Sequence, residues 1–132
     1  MSAEAFVPVL GHPRVITAAA DAERRVLAHD GDRIVGVAAF EPIGSTGEAI
    51  ITLAPDASGG LVQFLLDELA SRAARLGVFS LRFDFGVDDQ RGIADRLASR
   101  RSDCSVRRDH LDVRTTVQQA HQVRRAPAYA AH

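Results

Sequence analysis

Residues 48–77, EAIITLAPDASGGLVQFLLDELASRAARLG, decide how the chain is read. Glu48 to Leu53 alternates as a strand does, with Ala49, Ile51 and Leu53 on one face and Glu48, Ile50 and Thr52 on the other. Pro55 ends its ladder, because proline has no N–H to donate. Ser58 is a good N-cap for the helix that follows. Leu61, Val62, Leu65, Leu69, Ala73 and Leu76 form the apolar stripe of that helix, and Gln63, Asp67, Ser71 and Arg75 its wet face. Glu68 and Arg72 are spaced as an i,i+4 pair, and Gly77 is the expected C-terminal stop. A strand, a Ser-Gly-Gly loop and a helix in this order aim a helix N-terminus off the strand's end. The strongest ligand for such a place is an anion, often a phosphate.

Upstream, Arg24 to His29 and Arg33 to Glu41 read as a hairpin around Asp30-Gly31-Asp32. The second of these strands is apolar on both faces, which suits a central position: Ile34, Gly36, Ala38 and Phe40 lie on one face, Val35, Val37 and Ala39 on the other. Pro42 to Gly47 is turn chemistry. Residues 1–13 have no regular pattern, since Pro8 and Gly11 interrupt them. Pro13 through Asp21, with its run of alanines, reads as a short helix. Downstream, Val78 to Phe85 is a strand with Phe79, Leu81, Phe83 and Phe85 on one face. Asp88 to about Arg100 is a second helix, acidic at its start and Arg-rich at its end. Cys104–Arg108 and Leu111–Val117 make a last hairpin, and residues 118–132 a flexible tail.

Composition narrows the possibilities. A chain of 132 residues, 46% hydrophobic and 25% charged, is one ordinary globular domain. A formal net charge of −1 gives no case for nucleic acid or an acidic membrane. A single cysteine excludes an internal disulfide and fits a reducing, cytoplasmic setting. The N-terminus lacks the basic and apolar regions of a signal peptide, and no segment approaches a membrane span. His12, His29, His110, His121 and His132 are scattered without helical pairing or a cysteine partner, so no metal site is expected.

The order hairpin, strand, loop, long helix, strand, helix, hairpin resembles the GNAT superfamily of acyl-CoA N-acetyltransferases. DGDRIVGVAAFEP (residues 30–42) is similar to its first strand pair. GEAIITLAPD (residues 47–56) resembles a strand of its bacterial protein-lysine acetyltransferase branch, and LLDELASRAARLGVFSLRF (residues 65–83) its helix and following strand. The resemblance implies an α+β fold, a mixed, mostly antiparallel sheet flanked by helices, spanning residues 1–117 with a shortened N-terminal part at 1–21. It also implies a strand-loop-helix cleft for acetyl-CoA as co-substrate, with no metal.

Residue by residue, the resemblance makes Glu48 the general base. It places Leu53, Ala54, Pro55, Ser58, Gly59, Gly60, Leu61 and Gln90 around the co-substrate. Backbone N–H groups of Leu53 and Ala54 would polarise the thioester carbonyl. The family's loop signature, Gln/Arg-x-x-Gly-x-Gly/Ala, is not kept: Ser58, Leu61 and Gln63 stand at its three positions. Leu61 and Gln63 are expected to crowd a pyrophosphate, and Asp56 to repel one. The second helix has no Tyr to protonate the departing thiolate. Each of these residues also has a plainer reading. Glu48 reads equally as a solvated strand-start residue, and Ser58 with its glycines as a simple helix entry.

Three functions remain open on these residues. The chain is an acetyltransferase acting on a protein lysine or a small-molecule amine, an inactive acyl-CoA-binding or regulatory module with a homodimer as its partner state, or an unrelated ligand-sensing domain.

Overall fold

The computed structural model describes residues 2–9, 12–55, 59–86, 90–98, 103–115 and 129. Among the described residues, eight strands form a single sheet in the order β1-β2-β3-β4-β5-β6-β8-β7. β1 (Ser2–Val9), β2 (His12–Ala22), β3 (Arg25–Asp30), β4 (Arg33–Ile43) and β5 (Thr46–Leu53) run antiparallel, each beside the last. Helix α1 (Gly59–Arg75) crosses over to β6 (Ser80–Asp84), which lies parallel to β5. Helix α2 (Gln90–Ala98) leads to the edge strand β7 (Cys104–Val106), and β8 (His110–Arg114) inserts between β7 and β6. The arrangement is mixed and mostly antiparallel, as expected.

The N-terminal region corrects the sequence reading. Residues 13–21 are part of β2, not a helix, and residues 2–9 are its partner strand. Ile16 and Ala18 are buried while Val15 and the residues between them face the other way. Alanine's helix preference is weak enough for such pairing to override it. The alanines serve the packing. Ala18, Ala28 and Gly36 are successive register partners across β2, β3 and β4. All three are buried and leave a shallow floor beneath α1. A Cβ placed on Gly36 would meet Leu65 Cδ1 at 2.6 Å, so the helix rests against bare backbone there.

Helix α1 is buried more completely than an amphipathic surface helix. Its expected stripe is in the core except Leu76, which is exposed, and Phe64, Leu66, Ala70 and even Ser71 are buried as well. Each fully buried Leu or Phe contributes about 1.5–3 kcal/mol relative to exposure. Gly77 takes φ 80°, and Val78 N donates to Ala73 O at 2.9 Å, closing the helix with the left-handed residue expected there.

Two other expectations change. The Glu68–Arg72 pair does not form, because the Arg72 guanidinium donates to Glu23 O instead. Phe79 is not inward-facing: it precedes β6 and is 68% exposed, while Val78 fills the core position. Leu81 and Phe83 are buried as read from the alternation. On the last hairpin, Leu111 and Val113 are buried, and Val117 lies outside the described residues. Tyr129 packs its ring against Phe64 with centroids 5.4 Å apart and planes tilted by 44°, donates its hydroxyl to Asp67, and donates its N–H to Phe6 O on β1.

Candidate functional site

The candidate site is the fork between β5 and β6. These parallel strands pair at three positions only, Thr46 with Ser80, Gly47 with Leu81 and Glu48 with Arg82. β5 continues to Leu53 and β6 to Asp84 without further pairing between them. β6 turns instead to β8, with which it pairs along its whole length. In an antiparallel strand, successive residues turn their N–H and C=O groups to opposite sides. Ala54 N donates to Val35 O at 2.9 Å on β4. By alternation Leu53 and Ile51 turn their main-chain groups away from β4, into the fork. Of the two backbone donors expected to polarise a carbonyl, Leu53 therefore faces the fork, and the N–H of Ala54 does not.

The middle of the fork is occupied by a side chain. Gln90, the first residue of α2, is 1% exposed. Ile51 N donates to Gln90 Oε1 at 3.0 Å, and Gln90 Nε2 donates to Ile51 O at 3.0 Å. One carboxamide thus satisfies both main-chain groups of a residue that β6 has left unpaired, which a buried strand edge requires. The resemblance placed Gln90 beside the co-substrate, but its partner sits 39 positions away and only the fold brings them together.

Glu48 stands at the closed end of the fork. Its carboxylate lies 3.8 Å from Arg82 Nε, and both side chains are partly exposed. Arg82 in turn is the register partner of Asp112 on β8, and Glu48 that of Glu41 on β4. Phe40 is buried on the α1 side with Ala49, opposite to Glu48. Arg82 is the residue that sequence reading missed. Its outward place in VFSLRFDF was visible, but its neighbour depended on the parallel register.

Off the open end of β5, Pro55 is exposed in a turn and α1 begins at Gly59 and Gly60, both buried. The first N–H groups of a helix have no intrahelical partner. Leu61 is 1% exposed and belongs to the core, so its side chain does not crowd the helix entrance. Ser58 and Asp56 lie outside the described residues. Among the described residues no group of three or more metal-ligating side chains occurs, and no helix is long and apolar enough to cross a membrane.

No family model and no curated protein matches the sequence. Solved structures do match the fold. A cAMP-binding acyltransferase from Mycobacterium smegmatis, as a glutamate-to-alanine variant, superposes with a TM-score of 0.60 at 15% identity, covering 92% of this chain and 52% of that one. The same acyltransferase without that change gives 0.58 at 17% identity over 87% and 48%. The chain shares the fold of these acyltransferases. A third similar structure is yncA from Salmonella typhimurium, assigned as an acetyltransferase and solved with its cofactor acetyl-CoA, with a TM-score of 0.50, 18% identity and coverage of 77% and 68%. The chain spans about half the length of the mycobacterial structures it matches. Within that fold, the end of β5 and the start of α1 are the strand-loop-helix parts that the sequence resemblance assigned to acetyl-CoA.

Proposed function

We propose that this domain binds an acyl-CoA along the open edge of β5 and transfers the acyl group to an amine. The observation that carries the reading is the fork itself. β5 and β6 are hydrogen-bonded over three residues and then part, leaving the main chain of Ile51 and Leu53 directed between them. A sheet edge facing a gap is a template for an extended, amide-bearing chain. The pantetheine arm of CoA has that chemistry, and its pyrophosphate suits the helix entrance at Gly59 and Gly60.

In this reading the pyrophosphate end sits at α1, the arm follows Leu53 and Ile51, and the acyl end points to Glu48. An amine attacks the thioester carbonyl. The C–N bond forms, the C–S bond breaks, and CoA leaves as its thiolate. Glu48 accepts the proton the amine loses. Five steps of about 3.3 Å lead from Glu48 to Leu53, so the base lies about 17 Å along β5 from the mouth of the fork. That spacing suits a long arm reaching inward.

A second reading, acyl-CoA binding without transfer, draws on the ion pair between Glu48 and Arg82. The lysine-acetyltransferase branch, the acceptor amine and a homodimer remain part of the proposal. Titration calorimetry with acetyl-CoA tests the shared core of both readings. Saturable binding with thermal stabilisation is expected, and no heat and no stabilisation at millimolar acetyl-CoA overturns them. Mass spectrometry of an amine acceptor panel then separates transfer from binding alone.

A further inference from the structure

We infer that Gln90 is a specificity-determining latch across the fork, which an incoming ligand must displace by matching its amide. The inference rests on the acyl-CoA reading above and concerns how that cleft admits its ligand.

Two observations carry it. The Ile51 N–H and C=O, both turned into the fork, are each 3.0 Å from one carboxamide. The group that holds them belongs to a different helix and is almost wholly buried. The main chain of Ile51 therefore already reads an amide, and Gln90 supplies it. Ile51 lies between Leu53 at the mouth and Glu48 at the closed end. No arm following this edge reaches Glu48 while Gln90 stays paired.

Displacement has a chemical condition. A buried N–H and C=O left without partners each carry a desolvation penalty. A ligand that removes Gln90 and offers neither donor nor acceptor leaves both groups unpaired. A ligand arm with two successive secondary amides at that depth replaces both hydrogen bonds, one amide offering its C=O to Ile51 N–H and the next its N–H to Ile51 C=O. Gln90 thus favours acyl donors carried on an amide-bearing arm and rejects acyl groups on short or apolar carriers. As a competitor it also weakens binding of the donors it admits.

The experiment compares the whole chain with its Gln90→Ala variant, titrated with acetyl-CoA and with adenosine 3′,5′-bisphosphate. The bisphosphate carries phosphate chemistry for the helix entrance and has no arm. The latch predicts that Gln90→Ala binds acetyl-CoA at least tenfold more tightly while its affinity for the bisphosphate is unchanged. Equal or weaker acetyl-CoA binding by the variant overturns the latch and leaves the acyl-CoA reading standing. A parallel gain for both ligands overturns it too, since a structural loosening would act on both. Failure of both proteins to bind acetyl-CoA overturns the latch together with the reading beneath it.

A measurement on the unaltered chain decides the matter if Gln90→Ala does not fold. In nitrogen-15 NMR the buried, hydrogen-bonded Gln90 side-chain amide protons are expected to be protected from exchange in the free protein. Saturating acetyl-CoA is expected to expose them or shift their resonances. Unchanged protection and unchanged resonances in the bound state overturn the latch.

Discussion

Arg72 on α1 donates two hydrogen bonds to the main-chain oxygen of Glu23, from Nε at 3.1 Å and Nη2 at 2.9 Å. Glu23 lies in the turn joining β2 to β3, and Asp21 and Arg25 form an ion pair across the same turn. One guanidinium therefore fastens the helix to the hairpin that extends the sheet on its N-terminal side.

Arg72→Ala is expected to destabilise the domain by about 1 kcal/mol, the typical net value of such a bond at a partly wet site. Arg72→Lys should recover little of this, because an ammonium lacks the fork geometry. Thermal or denaturant unfolding of the three proteins checks it, and equal stability of Arg72→Ala and the parent would dismiss the tether.

Gly47 sits where β5 meets β6, paired with Leu81. A Cβ built on it would lie 3.0 Å from Leu81 Cδ2, 3.1 Å from Phe40 Cδ2 and 3.2 Å from Val78 Cγ1. These three side chains are buried, so none can swing into solvent. Gly47→Ala should cost about 1–3 kcal/mol by overpacking. The strain falls on the closed end of the fork, so binding of acetyl-CoA is expected to weaken in step. A variant as stable as the parent would show that the neighbours give way freely.

How much of this was readable from residues alone follows from the range of each interaction. The strands from β3 onward, α1 and its glycine stop are written in local periodicity and turn chemistry, and they emerge at nearly their expected places. β2 is not, because a run such as Ala18-Ala19-Ala20 carries a helix propensity that only the neighbouring strands overrule. Arg72 illustrates the same limit on a helix: its spacing to Glu68 is a local pattern, whereas Glu23 lies 49 positions away. At the candidate site, Glu48 and the glycines were named through a resemblance of phrases. The Gln90–Ile51 and Glu48–Arg82 pairs were not, since each requires knowing where two parallel strands separate.

Glu68 makes the pH dependence of stability informative. It lies on α1, and burial pushes its carboxyl pKa up, with the neighbouring Asp67 adding to the rise and Arg75 and Arg72 opposing it. A carboxyl whose folded pKa exceeds its unfolded value, about 4.3, binds its proton more tightly when folded. Stability then falls as pH rises from the unfolded value through the raised folded one. Glu68→Gln should remove that fall and raise the melting temperature at pH 7, with little change near pH 4. Asp21 and Asp109 work in the opposite sense. Hydrogen bonds from Arg25 and His110 hold their pKa values down, so their contribution is present above about pH 4 and fades in stronger acid. Melting curves from pH 3 to 8 test both arms, and a Glu68→Gln variant that melts lower at pH 7 contradicts the first.

Glu48 offers the sharpest test of catalysis, because its proposed role and its observed partner can be separated. Glu48→Gln keeps the side chain's volume and removes its negative charge and its capacity to take a proton. If Glu48 is the general base, transfer should fall by a factor of about 10²–10⁴, the usual contribution of such a group. Acetyl-CoA affinity should stay close to the parent's. The surface ion pair with Arg82 is worth about 0–1 kcal/mol, so the loss of stability should be small. Arg82→Ala provides the control, since it breaks the same ion pair and leaves the carboxylate in place. A loss of transfer in Glu48→Gln that Arg82→Ala does not share assigns the effect to the base. Equal losses in both variants assign it to the ion pair at the closed end of the fork, and unchanged transfer in Glu48→Gln removes Glu48 from the reaction.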